Sequence, residues 1–91
     1  MKILEGDAQP GFDMPGDSST DPWVVVARKN GKEILRKAFY AKSMPDAINR
    51  GITSIARSMS GTSNALFVSY VKQLRSEQRS RKLLISAYLA G

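Results

Sequence analysis

Nine basic side chains in two runs hold most of the chemistry this chain offers. Arg28, Lys29, Lys32, Arg36 and Lys37 crowd an Asn30-Gly31 pair, and Arg75, Arg79, Arg81 and Lys82 follow further along. Their chemistry is the recognition of anions: a guanidinium forks onto phosphate or carboxylate, whereas an ammonium acts as a point charge. The arginine-rich second run therefore carries slightly more weight than the hairpin. Each run also has a plainer role, since charged hairpins protect an edge strand from aggregation and a basic run is often just a solvated face. Arg50 and Arg57 share a helix face with Thr53 and Ser54, types that suit phosphate contact; an ordinary wet face is the preferred reading there.

Catalytic constellations are thin. The chain has no histidine and no cysteine, which removes His-dependent triads, the usual neutral-pH base, thiolate zinc sites and disulfides. No phosphate-binding glycine loop occurs. Glu33, Asp46 and Glu77 each have a structural job beside a turn, in a cap or among arginines, so neither a paired-carboxylate site nor an oxygen-ligand metal site is expected. The reading is a non-enzyme without cofactor. Trp23 and Tyr40 bracket the hairpin and could stack on bases. Core filling is preferred for them, because one Trp, three Tyr and three Phe serve the whole chain.

The elements that position these groups follow from pattern. Asn-Gly favours a type I′ turn, in which both central residues need positive φ. That turn sets Lys29 opposite Lys32, Arg28 opposite Glu33, Ala27 opposite Ile34 and Val26 opposite Leu35, with a three-residue loop and bulge as the alternative. Ser43 and Asp46 form an S-x-x-D box with Pro45 in the first turn. Met44, Ile48, Ile52, Ile55 and Met59 make one apolar stripe, which Ser60-Gly61 closes. Gly51 inside this helix points to close packing against another backbone, or to a tolerated imperfection. Over 65–74 the density of Phe, Val and Tyr favours a third strand. A helical stripe of Leu66, Phe67, Tyr70, Val71 and Leu74 competes, and no Gly or Pro interrupts 65–90. The segment after the second basic run is either strand or helix. The fold class is thus α+β: an N-terminal β-hairpin, an amphipathic helix on a small antiparallel sheet, a third strand, and a C-terminal strand or helix.

Charge divides the chain. Residues 1–22 hold five acids against Lys2, whereas 23–91 hold the other thirteen basic residues against Glu33, Asp46 and Glu77. Residues 1–21, with two Pro-Gly pairs and no periodicity, read as an acidic flexible arm; 22–91 read as one basic domain. A body carrying ten net positive charges favours polyanions. The expected function is a small basic binding module that contacts nucleic acid through backbone phosphates in a regulatory or accessory role. The alternative is a phage-type inhibitor or adaptor that docks on an acidic or nucleic-acid-binding surface of a larger complex; a small virion or assembly component is third. The longest near-apolar stretch is too short to span a bilayer, so the expected location is cytoplasmic, without a membrane partner. At this size, self-association into a homodimer also stays open.

Overall fold

The computed structural model describes residues 20–90. The chain runs β1 (Asp21–Lys29), β2 (Lys32–Ala41), α1 (Met44–Ser60), α2 (Asn64–Arg79) and β3 (Leu83–Leu89). The three strands form one antiparallel sheet in the order β2-β1-β3, so the first strand lies at the centre. The α+β class is as expected. Most of the arm expected over 1–21 lies outside the described residues.

Asn30 and Gly31 adopt φ of 55° and 75°, the two positive values the hairpin turn demands. Lys29 faces Lys32 and Arg28 faces Glu33 as expected. Beyond them the register shifts, with Ala27 opposite Leu35 and Val26 opposite Arg36. The two-residue turn and a bulge therefore coexist, and Ile34 is the extra residue. The bulge turns Leu35 toward the helices and leaves Ile34 exposed.

Both helices cover the same sheet face. Val25, Ala27, Ala41, Leu83 and Ala87 are buried there, against Ala47, Ile52, Ile55 and Ala56 of α1 and Leu74 of α2. The start of α1 is fixed by Ser43, whose Oγ accepts from the Asp46 N–H at 3.3 Å. The reciprocal bond is displaced by one residue: Asp46 Oδ2 accepts from the Lys42 N–H at 3.0 Å, not from Ser43. The buried face of α1 is richer in small residues than the isoleucine stripe suggests. Ala47, Gly51 and Ala56 are buried, whereas Met44 and Met59 are about half exposed at the two ends. Small residues let the helix approach the sheet closely. A Cβ on Gly51 would come within 2.7 Å of Val25 Cγ1, so the close neighbour is a side chain and not a backbone.

The strand expected over 65–74 is instead the middle of α2. Ser63 caps it, its Oγ accepting from the Leu66 N–H at 3.2 Å. Leu74 is fully buried, and Phe67, Tyr70 and Val71 pack partly buried against the core; Leu66 and Val68 point to solvent. Burial of a period-3.6 stripe against α1 outweighs the β-propensity of Phe, Val and Tyr, a preference that is itself largely a packing effect. The third strand is the segment that was open between strand and helix, Leu83–Leu89, and it pairs with β1.

Candidate functional site

Pairing of β3 with β1 sets Lys29 opposite Leu83 and Arg28 opposite Leu84. The hairpin turn therefore lies beside the corner joining α2 to β3, and two basic segments some fifty residues apart in the chain meet at one end of the molecule. Arg28 and Arg81 both line a shallow groove of about 280 Å³, with Gln78 at its side and Val26, Leu84 and Ser86 among its walls. Lys32, Arg79 and Lys82 are exposed nearby. Each member is held differently. Arg28 is aimed by a bond from Nη2 to the Gly31 carbonyl at 3.0 Å. Lys29 Nζ donates to Glu77 Oε2 at 3.2 Å and lies 3.0 Å from Oε1, tying the hairpin to α2. The hydrogen bonds from Lys29 and then Gln73 hold the Glu77 carboxyl below its ordinary range, against a smaller effect of burial.

Arg81 stands out by its backbone. At φ of 66° it occupies the left-handed position just after the Ser80 cap of α2, a place glycine usually fills. Its N–H donates to the Gln78 carbonyl at 3.2 Å, which closes the helix end. A long cationic side chain is thereby placed where the local backbone would prefer none.

Not every expected residue joins this end. Arg36 forks onto Glu33 at 2.9 and 3.1 Å and reaches the Tyr88 hydroxyl at 3.5 Å on the open sheet face. That pair lowers the Glu33 carboxyl and raises the guanidinium, mainly through their hydrogen bond. Lys37 lies at the far edge on the helix-covered side, 5.5 Å above the Phe39 ring. Arg75 is exposed on α2 outside the groove. Arg57 of α1 stacks 3.9 Å over Phe67 of α2, and Arg50 lies 3.5 Å from Asp46 within α1, so neither lines the groove. Trp23 packs into the core as preferred.

Two groups escaped the sequence reading. Lys72 joins Arg75 and Arg79 in a basic stripe along α2, visible once that segment is read as a helix. Tyr88 is half exposed on the uncovered sheet face beside Arg36. Among the described residues no cluster of three metal-ligating side chains occurs, and no helix is long and apolar enough to cross a membrane. No family model, curated protein or solved structure matches the chain. The functional reading rests on its own residues.

Proposed function

We propose that the chain is a non-catalytic nucleic-acid-binding module that grips phosphates at the end of the molecule shared by the hairpin turn and the α2–β3 corner. The observation that carries this reading is the shared groove: Arg28 and Arg81, from separate basic runs, line one concavity. Arginines converging from different elements suit a chain of phosphates better than isolated solubilising charges do. Lys32, Arg79 and Lys82 around the groove extend the positive field beyond one contact. Binding of this kind is phosphate-led and weakly selective for sequence.

The test is an anisotropy titration with labelled duplex DNA, single-stranded DNA and RNA at low salt. The double reversal Arg28→Glu with Arg81→Glu should abolish binding, whereas Lys37→Glu at the far edge should leave most of it. Absence of binding to every probe by the unaltered chain would remove the proposal. A protein-docking role, as an inhibitor or adaptor, is the second reading. Its support is the open sheet face, where Leu84 and Tyr88 are 57% and 50% exposed. Capture of a protein from a nuclease-treated lysate that the Arg28/Arg81 reversal leaves unchanged would favour it.

A further inference from the structure

We propose that the outer edge of β3 is a self-association seam, at which two copies of this chain pair β3 to β3 antiparallel about a two-fold axis at Ser86. The result is one continuous sheet from two three-stranded ones. This inference does not depend on nucleic-acid binding.

The two sheet edges are built differently. β2 carries Lys32, Glu33, Arg36 and Lys37 and a bulge, which are the usual protections of an edge strand. β3 reads LLISAYL, without charge, proline or glycine, and among the described residues it pairs only with β1. Its Leu84, Tyr88 and Leu89 are 57%, 50% and 58% exposed. An apolar, uncharged edge with exposed leucines is a ready template for another strand.

Backbone direction agrees. The Ala90 N–H donates to the Pro22 carbonyl at 2.9 Å, toward the central strand. Alternation along an antiparallel strand then points the main-chain groups of Leu84, Ser86 and Tyr88 to β1 and those of Leu83, Ile85, Ala87 and Leu89 outward. With full overlap of the seven residues, Ile85 of one copy and Ala87 of the other exchange both hydrogen bonds.

The side chains are self-complementary in that register. Leu84 meets Tyr88 of the second copy on the open face, where the two are 57% and 50% exposed. Tyr88 of the second copy becomes a wall of the groove beside Leu84. Charge selects the antiparallel sense. Arg81 and Lys82 flank only the start of β3, and antiparallel pairing puts the two basic corners at opposite ends. A strand of seven residues separates them by about 23 Å, well beyond the screening length of about 8 Å at physiological salt. Parallel pairing would set them side by side.

The absence of cysteine makes the axis directly testable. Ser86 is exposed and faces its own copy across a non-hydrogen-bonded pair. The Cα atoms of such a pair are about 4.5 Å apart, inside the disulfide range of about 4.4–6.8 Å. Ser86→Cys should oxidise in air to a linked dimer, whereas Leu66→Cys on the exposed face of α2 should link at least tenfold more slowly. In sedimentation of the nuclease-treated full chain at 0.15 M salt, the unaltered protein should pass from monomer to dimer with concentration. Ser86→Lys, which sets two ammoniums on the axis, should raise the dissociation constant at least tenfold while leaving the melting temperature of the dilute monomer unchanged. A monomer up to millimolar concentration overturns the proposal, whether a foreign peptide or residues 1–19 occupy the edge instead. A dimer indifferent to Ser86→Lys, or equal linking of the two cysteine variants, overturns it as well.

Discussion

Arg81 holds a left-handed backbone in which a Cβ crowds the neighbouring carbonyl, at a cost of roughly 1–2 kcal/mol relative to glycine. Arg81→Gly should therefore raise stability by about 1 kcal/mol, or several degrees of melting temperature for a domain of this size. The same variant should weaken phosphate binding, because it removes one groove arginine. Calorimetry and an anisotropy titration on one sample read both effects, and their opposite signs separate a placed cation from an accidental one. Gly51 gives the converse case. Alanine there gains about 1 kcal/mol of helix propensity, but its Cβ meets a fully buried, stiff Val25 at 2.7 Å. Overpacking of this kind costs about 1–3 kcal/mol. Gly51→Ala should lower the melting temperature, and Val25→Ala added to it should cost less than Val25→Ala alone.

At the scale of elements, α1 fastens the sheet and α2 fastens the basic end. Ile55 of α1 is buried in one core cluster with Leu74 of α2 and Ala27 and Leu83 of the sheet, so Ile55→Asp should unfold the domain by placing an unpaired charge in a small core. Loss of the cooperative melt in circular dichroism reads this directly. Val68 is 53% exposed in the middle of α2. Val68→Pro should destabilise by about 3 kcal/mol or more, as an interior helical proline does, while Val68→Ala should be neutral or slightly stabilising. The Lys29–Glu77 pair links the hairpin to this helix and brings a pH dependence. Since the folded-state value of Glu77 lies below its ordinary 4.5, its contribution is fully present above that pH and fades as pH falls through the folded value. Glu77→Gln should make stability less dependent on pH below about 4.5. At neutral pH it should cost no more than about 1 kcal/mol, because the pair is partly exposed.

For the whole molecule, the uneven charge predicts how binding answers to salt. If about four phosphates are neutralised, the log–log slope on duplex DNA should lie near −4, each contributing about −0.9. Lys29→Glu with Lys32→Glu and Arg79→Glu with Arg81→Glu probe the two basic segments separately. Because the two segments border one end, either reversal should lower affinity and flatten the slope, the arginine pair more so. A hairpin reversal without effect would reduce that turn to a soluble cap on the sheet.

The sequence by itself determined the features that depend on near neighbours. Asn30-Gly31 sets a turn through its own φ values, Ser43 and Pro45 start a helix through bonds within one turn, and the lack of histidine and cysteine removes whole chemistries without any fold. The two basic runs were legible as composition, but not as one place. Only the tertiary structure decided that 65–74 is helical, that Ile34 is squeezed out as a bulge, and that Arg28 and Arg81 share a groove. Each of those depends on burial between elements distant in the chain. Phe67, Tyr70, Val71 and Leu74 become a helix face once α1 is there to cover it. Arg81 becomes a neighbour of Arg28 only because β3 returns to pair with the strand that opened the sheet. Long-range pairing is selected by the apolar surface it removes from water, a quantity that no local spacing contains.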